Sequence, residues 1–324
     1  MKKILIGITI ALVVIVAVVL TRPQQQQVAT TKIKIGVLKH ESSLPIYLAE
    51  KLGYFKKYKL DVEIIELPPG DHLPALISNR VDIISPTSFP MLLGAIENNP
   101  GLLYAIIPGA EINGGETVYG IVTKKDFKGN DITSLKSKII FAINPYTKVN
   151  LLNILKKLNF KDNEIKEIKV SNRDAALSAV LRGDADACIL DQPSLAIAIN
   201  TGKFSLLESN PRAKYLGTPY WSGSGAVKRE VWNKKKDQFN KLLEALDEAI
   251  AYSKNNKKES QLILAKTLGI DPAVATHMGG YYFPLSKEKV DLNGIQNTVN
   301  ALINADLMKK SIDLSTLFPP TYYK

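Results

Sequence analysis

The feature that most constrains the fold of this chain is a regular alternation of strand-like and helix-like segments. Residues 33–38 begin with apolar–polar alternation, which is typical of a strand, and residues 44–52 carry apolar side chains at helical spacing. Residues 60–67 predict a second strand, and short strands at 81–84 and 102–107 again alternate with helices. This βαβαβαβ order predicts a parallel sheet with helices on both of its faces.

A second α/β unit follows a break in the pattern at Asn113-Gly114-Gly115. Residues 117–123 predict a strand, after which the alternation restarts and continues to residue 190. This unit repeats the order of the first unit over about a hundred residues, roughly the size of one domain. The chain therefore predicts two lobes joined by two crossings.

The last third of the chain changes to amphipathic helices, predicted at residues 230–253, 260–268 and 287–305. These helices most simply pack back on the first lobe. We therefore expect residues 32–118 and 219–324 to form lobe I, and residues 119–218 to form lobe II. Each lobe of this α/β fold should contain a mostly parallel sheet flanked by helices.

The N-terminus is an uncharged apolar run, residues 4–20, preceded by Lys2-Lys3 and followed by Arg22-Pro23. Lysines before such a run place the N-terminus inside, so the rest of the chain should lie outside the cytoplasmic membrane. We predict an apolar helix within residues 1–22 that is a signal or a membrane anchor, with residues 23–31 as a flexible tether. A retained anchor is slightly favoured, and cleavage stays open.

Composition argues against several functional classes. The formal net charge is +11, but the lysines are dispersed among acidic and polar neighbours, and no basic–aromatic ladder is present, so we expect no nucleic-acid partner. Cys188 is the single cysteine, which excludes an internal disulfide and a multi-thiolate metal site. The three histidines are scattered along the chain. We therefore predict neither a metal nor a cofactor.

Three stretches together carry a family resemblance. They are AEKLGYF at residues 49–55 with Leu60-Asp61-Val62, Ala75-Leu76 with residues 79–83, and residues 175–177 with 181–187. The combination resembles the nitrate/sulfonate/taurine/thiamine-precursor group of solute-binding proteins of ABC transporters, which have the type 2 periplasmic binding protein fold. Asn79 stands where glycine is common in that pattern, which is a mild departure.

The resemblance implies an extracytoplasmic protein that closes two lobes on a small molecule and delivers it to the permease of an ABC importer. It implies a monomer without catalytic residues. One alternative is an enzyme on the same scaffold, of the pyrimidine- or menaquinone-precursor type. The other is a ligand-sensing module that reports to a receptor.

The candidate ligand contacts lie mostly in the turns that follow strands, because ligands of open α/β sheets bind beyond the carboxyl ends of the strands. These residues are Lys39, His40, Ser42, Ser43, Pro86, Thr87, Ser88, Asn144, Tyr146, Thr147 and Asp191, to which we add Trp221 after the return crossing. The hydroxyl and amide residues are equally good candidates for helix caps, and Trp221 for a core position.

The charges of these residues point to different ligands. Asp191 favours an amine, an amidine or a protonated ring, whereas Lys39 and His40 favour a carboxylate, sulfonate or bicarbonate. The sequence therefore leaves the ligand open among sulfonates, nitrate, bicarbonate and thiamine precursors. The predicted mechanism is hinge closure, with Gly120 and Gly217 as hinge residues near the two crossings.

Overall fold

The computed structural model describes residues 32–320, 322 and 323. The predicted N-terminal helix and tether lie outside this range, so the expectations for residues 1–22 and 23–31 stay predictions. Within the part of the chain that is described, no helix combines the length and the apolar character needed to span a membrane.

The first sheet has five strands in the order β2-β1-β3-β10-β4. The strands are β1 (Ile33–Val37), β2 (Val62–Glu66), β3 (Ile83–Ser88), β4 (Leu103–Glu111) and β10 (Tyr220–Lys228). Strand β1 pairs in parallel with β2 and β3, with Ile35 opposite both Ile64 and Ile83. Strand β10 lies antiparallel between β3 and β4.

The second sheet repeats this arrangement in the order β7-β6-β8-β5-β9. Its strands are β5 (Tyr119–Lys124), β6 (Ile139–Ala142), β7 (Glu167–Val170), β8 (Ala187–Asp191) and β9 (Phe204–Ser209). Strand β6 is parallel to β7 and β8, whereas β5 is antiparallel to β8 and β9. Four of the five strands in each sheet therefore run in the same direction, as expected for a mostly parallel sheet, and the one reversed strand makes each sheet mixed. The reversed strand is the first strand after a crossing: β10 in the first sheet and β5 in the second, each antiparallel to both of its neighbours.

The helices flank the two sheets. They are α1 (Leu44–Lys51), α2 (Tyr54–Lys57), α3 (His72–Ile77), α4 (Phe89–Asn98), α5 (Pro145–Lys157), α6 (Arg173–Arg182), α7 (Ser194–Asn200), α8 (Pro211–Tyr215), α9 (Arg229–Lys234), α10 (Lys236–Asn255), α11 (Lys257–Leu268), α12 (Pro272–Ala275) and α13 (Leu292–Asn304). The helix predicted at 230–253 is thus divided at Lys235, and the one predicted at 287–305 begins only at Leu292.

Local sequence signals explain several helix ends. Asn172 begins α6 by accepting a hydrogen bond from the backbone N–H of Ala175 at 2.9 Å. Gly183 ends the same helix with φ +84°, a left-handed conformation that favours glycine. These ends fix where the loop after β7 ends and where the loop before β8 begins.

The C-terminal helices share one apolar core with the first sheet. Phe239 and Leu246 of α10 are buried in the same cluster as Ile35 of β1, and Trp232 stacks on Phe239 with ring centroids 5.3 Å apart. The second sheet has its own buried clusters, in which Ile189 packs on one face. Two cores of this kind define the two-lobed α/β fold that the alternation predicts, and the fold class is confirmed.

Two segments connect the sheets, one between β4 and β5 and one between α8 and β10. Gly217 lies in the second segment with φ +141°. Gly120, in contrast, lies inside β5, hydrogen-bonded opposite Leu190 and Ser209. A Cβ atom at Gly120 would lie 2.6 Å from Leu206 Cδ1. Close packing around β5 therefore explains why residue 120 is a glycine. The hinge role stays a prediction for Gly217 alone.

Candidate ligand-binding cleft

A cavity of about 740 Å³ lies between the two sheets. We call it the interlobe cleft. Polar residues that line it from lobe I are Lys39, His40, Ser42, Glu66, His72, Thr87, Ser88, Ser222 and Ser224, and from lobe II Asn144, Tyr146, Thr147, Arg173, Asp191, Gln192, Ser194 and Arg212. Apolar side chains such as Leu38, Met91 and Ile143 complete the wall. The volume lies within the usual range for small-molecule sites, roughly 300–1,000 Å³.

The turns predicted from the sequence do converge on this cleft. Lys39, His40 and Ser42 follow β1, and Asp191 ends β8. Asn144 also caps α5, since its side chain accepts a hydrogen bond from the N–H of Thr147 at 2.8 Å. Asn144 therefore both caps α5 and lines the cleft.

Two predicted contacts do not reach the cleft. Ser43 is fully buried and its hydroxyl donates to the carbonyl of Leu38 at 2.7 Å, so it holds the loop after β1 in place. Trp221 is 2 % exposed and lies in the core of lobe I beside Tyr282. Its side chain is an anchor of the core, which is the alternative that the sequence left open.

A cluster of charges bridges the lobes across the cleft, and we call it the His40 cluster (His40, Glu41, Asp191 and Arg173). Arg173 donates two hydrogen bonds to Asp191, both at 2.8 Å. His40 Nε2 lies 3.7 Å from Asp191 Oδ2. On its other side, His40 Nδ1 lies 2.9 Å from Glu41 Oε2, an ion-pair distance without hydrogen-bond geometry.

These contacts set the protonation states. Burial opposes the charge of His40, but Glu41 and Asp191 outweigh burial and raise the pKa of His40 to about 10. Burial also raises the pKa of Glu41, to about 7, against the opposing effect of His40. For Asp191, burial raises the pKa, but the nearby charge of His40 and the hydrogen bonds from Arg173 outweigh burial and lower it. His40 is therefore a cation, and the charge of Asp191 is already compensated within the protein.

A second ion pair joins the lobes where β4 ends. Arg212 of α8 donates to Glu111, the last residue of β4, and we call these residues the Arg212 pair. Ser222 also donates to Glu111, at 2.7 Å. The guanidinium lies 3.7 Å above the ring of Tyr119. Arg212 is 6 % exposed and Glu111 is 1 % exposed, so each buried charge depends on the other.

A third bridging contact joins two tyrosines. Tyr146 of α5 and Tyr220 of β10 share a hydrogen bond between their hydroxyls at 2.5 Å, and Tyr220 also donates to Asn150 at 3.1 Å. Tyr146 therefore lines the cleft and also holds the two lobes together.

Sequence reasoning missed several cleft residues. Arg173 begins α6 directly after the loop that follows β7, so the rule that found Asp191 could also have found it. Arg212 lies in the short helix after β9 and Tyr281 in a loop between α12 and α13, positions that no periodicity marks. His72, which the sequence analysis counted only among three scattered histidines, is the first residue of α3 and lines the cleft.

Some buried polar atoms of the lining have no hydrogen-bond partner among the described residues. They are Thr87 Oγ1, His72 Nδ1, the Tyr119 hydroxyl and Arg212 Nε. Buried polar groups are normally paired, so such atoms mark places for a ligand or water to bond. The described residues hold no group of three or more metal-binding side chains, and Cys188 is buried.

Similar folds are found among solved structures. The periplasmic aliphatic sulphonate-binding protein SsuA from Escherichia coli superposes with a TM-score of 0.72 at 19 % identity, covering 90 % of this chain and 98 % of that one. A ligand-binding component of an ABC-type import system from Staphylococcus aureus, with zinc bound, gives 0.69 at 17 % identity, covering 90 % and 98 %. The desulfurization enzyme DSZB gives 0.64 at 11 % identity, covering 89 % and 96 %.

These likenesses establish the two-lobed periplasmic binding protein fold as the class of this molecule. The model of the family described as NMT1/THI5 like matches residues 40–260, and the chain belongs to that family. The family resemblance drawn from the sequence is thereby confirmed. Among curated proteins, no sequence matches the chain.

Proposed function

We propose that this protein is an extracytoplasmic solute-binding protein that captures a small organic molecule in the interlobe cleft and delivers it to an ABC importer. The observation that carries the proposal is the cleft itself, a cavity of about 740 Å³ formed by loops of both lobes. A molecule held there contacts both lobes at once, so its binding energy favours the closed arrangement.

The bridging contacts support a closing mechanism. The His40 cluster, the Arg212 pair and the Tyr146–Tyr220 hydrogen bond each join the two lobes. A rotation about the two connecting segments would break all of these contacts together. Ligand binding and these contacts therefore stabilise the same closed state, which an importer can distinguish from the open one.

The size of the cleft bears on the ligand. Nitrate and bicarbonate would fill only a small part of about 740 Å³. The apolar wall around Leu38, Met91 and Ile143 suits a molecule with a carbon skeleton. Among the ligands that the sequence leaves open, organic sulfonates and thiamine precursors fit the cleft better than the inorganic ions.

The electrostatics favour binding over catalysis. His40 carries a proton between two carboxylates and so cannot serve as a general base near neutral pH. Both carboxylate oxygens of Asp191 accept hydrogen bonds from Arg173, so Asp191 is not free to act as a nucleophile or a base. We therefore infer a binding protein without turnover.

The importer and the location are part of the same proposal. A ligand-binding component of an ABC-type import system shares the fold, and the uncharged run at residues 4–20 is typical of an export signal or membrane anchor. We expect the protein to act as a monomer whose partner is the importer permease, held near the membrane if the N-terminal segment is retained.

A thermal-shift screen of the full chain tests this function. Propanesulfonate, taurine, nitrate, bicarbonate and a thiamine-precursor pyrimidine are the probes, and a true ligand raises the unfolding midpoint with concentration. Chemical turnover of a compound that binds would contradict the transport function. Failure of every probe to shift the midpoint would contradict ligand capture in the cleft.

A further inference from the structure

The sheet of lobe I has a basic edge on the side away from the interlobe cleft. Leu38 follows β1 and lines the cleft, so the amino end of β1 lies at the opposite edge of the sheet. The parallel strands β2 and β3 begin at that edge, and the antiparallel β10 ends there. We call it the basal edge, and its exposed cations are Lys34, Lys56, Lys59, Arg80, Lys234 and Lys236.

Direct contacts gather these segments around the start of β1. The side chain of Lys235, which separates α9 from α10, donates to the carbonyl of Lys32 at 3.3 Å and to Asp82 at 2.8 Å. The backbone N–H of Ile33 donates to the carbonyl of Asp61 at 2.8 Å. The turn between α9 and α10 and the turns before β2 and β3 therefore surround Lys32.

The basal edge has more positive than negative charge. Among the described residues, no carboxylate forms an ion pair with any of its exposed cations. The neighbouring Lys32 and Lys235 are paired, with Glu63 at 3.6 Å and with Asp82 at 2.8 Å. Outside these pairs, the exposed carboxylates of the same turns are Asp61 and Asp237. The uncompensated charge of the edge is therefore positive.

The chain enters lobe I at this same edge. Residues 21–31 separate Lys32 from the uncharged run at residues 4–20. An extended chain spans at most roughly 3.6 Å per residue, so Lys32 lies within about 40 Å of a bilayer that holds the run. Lobe II lies on the other side of the cleft from the basal edge. The covalent link thus keeps the basal edge closer to lipid headgroups than lobe II.

We propose that the basal edge binds the anionic phospholipid headgroups of the membrane that holds the N-terminal run. The negative potential of such a surface attracts lysine and arginine side chains, and it decays over about 8 Å at physiological salt. The covalent link raises the local concentration of headgroups and so strengthens a weak contact. This inference rests on the membrane attachment proposed above and is independent of what the cleft binds. It leaves lobe II free to rotate.

Energy transfer from the protein to a labelled lipid tests this docking on the full chain. The vesicles contain phosphatidylcholine alone or with about one third phosphatidylglycerol, and an acceptor lipid. A donor dye on Ser78→Cys, in the turn before β3, reports the basal edge, and one on Asn200→Cys, at the end of α7, reports lobe II. Cys188 is buried and should stay unlabelled.

Transfer from the Ser78→Cys dye should be at least about twofold higher with the anionic vesicles, and the difference should disappear at about 0.5 M salt. Equal transfer with both kinds of vesicle, or no association with the anionic vesicles, would overturn the proposal. Stronger transfer from the Asn200→Cys dye than from the Ser78→Cys dye would assign the contact to lobe II and would also overturn it.

Charge reversal identifies the surface. Lys234→Glu/Lys236→Glu should abolish the difference between the two kinds of vesicle. The matched control is Lys156→Glu/Lys157→Glu, because these lysines are exposed at the end of α5 in lobe II and the net charge changes equally. An unchanged difference in the first variant would contradict docking by the basal edge. None of these lysines lines the cleft, so the thermal-shift response to a ligand separates this proposal from ligand capture.

Discussion

At the scale of single residues, the environment of Asp191 changes the interpretation of the site. In the sequence, this carboxylate after a strand favours a cationic ligand. In the structure, Arg173 and His40 already neutralise it, and the two cations come from different lobes. The apparent conflict between Asp191 and the basic residues of the first loop is resolved because His40 pairs with Asp191 and Lys39 lies beside Glu66.

Asp191→Asn should weaken ligand binding by about tenfold or more, because the closed state loses the charge that attracts His40 across the cleft. Calorimetric titration with a binding probe from the screen measures the change. The matched control is Asp184→Asn, which alters an Asp–Arg pair on the surface, where the Asp184 side chain is 59 % exposed. A similar loss of affinity in both variants would contradict a specific role for Asp191.

His40 also predicts a pH dependence of stability. Its pKa in the folded protein, about 10, is above the ordinary value of 6.5, so the stabilisation is fully present below about pH 6.5 and is lost as the pH rises towards 10. The raised pKa of Glu41 acts in the same direction between about pH 4.5 and 7. The free energy of unfolding should therefore fall by on the order of a few kcal/mol from pH 7 to 9.

Chemical denaturation at pH 7, 8 and 9 measures this change, with the double variant His40→Gln/Glu41→Gln as the comparison. The double variant should show a much flatter dependence, because it removes both coupled groups, whereas His40→Gln alone would let the pKa of the buried Glu41 rise further into this interval. An equally steep decline in the double variant would show that the His40–Glu41 pair is not responsible.

At the scale of elements, the strand–helix order and the common direction of most strands were predictable, but the reversed direction of β10 and β5 was not. The periodicity of residues 33–38 and 60–67 reflects backbone geometry that is local to each segment. Whether β10 enters its sheet parallel or antiparallel depends on the path of the return crossing and on contacts with β3 and β4. The mixed sheets therefore appear only in the tertiary structure.

Close packing at the first crossing gives an element-scale prediction. A Cβ atom at Gly279 would lie 2.1 Å from the carbonyl oxygen of Thr117, which belongs to the segment between β4 and β5. Gly279→Ala should lower the free energy of unfolding by about 1–3 kcal/mol, because backbone must shift. Thermal and chemical denaturation measure this loss.

Gly94→Ala is the matched control, since Gly94 lies inside α4 and an added Cβ would meet nothing within 4 Å. That change should raise the free energy of unfolding by about 0.4–1 kcal/mol. A neutral effect of Gly279→Ala would mean that the crossing can move away from the 276–283 loop at little cost.

At the scale of the whole molecule, the lobes are joined by charges and hydroxyls from distant parts of the chain. Glu111 ends a strand of lobe I, and Arg212 lies in a helix of lobe II. Their burial makes the pair costly to break and weakly stabilising when intact. The Arg212 pair therefore fixes the relative position of the two lobes, and it contributes little to the stability of either lobe.

Arg212→Met should destabilise the protein by about 3–5 kcal/mol, because Glu111 is left as a buried charge without a partner. The double variant Arg212→Met/Glu111→Leu should recover most of that loss, since no uncompensated charge is left. Denaturant titration of the two single variants and the double variant gives the coupling free energy. Additive losses in the double variant would contradict the coupling.

Ligand binding should also change the size of the molecule if the cleft opens in solution. Addition of a binding probe should lower the radius of gyration measured by X-ray scattering, as open molecules convert to the closed arrangement. Asp191→Asn should require more ligand for the same change. A radius that does not respond to saturating ligand would contradict hinge closure.

The sequence by itself determined the two α/β units, the turns that carry most of the cleft residues, and the family resemblance. These follow from local periodicity, capping residues and short motifs, which act between near neighbours in the chain. Only the tertiary structure decided that Trp221 is in the core, that Gly120 is packed inside a strand, and that Asp191 pairs with His40 and Arg173. The physical reason is that charge pairing and burial depend on distances between segments far apart in sequence, which local patterns do not specify.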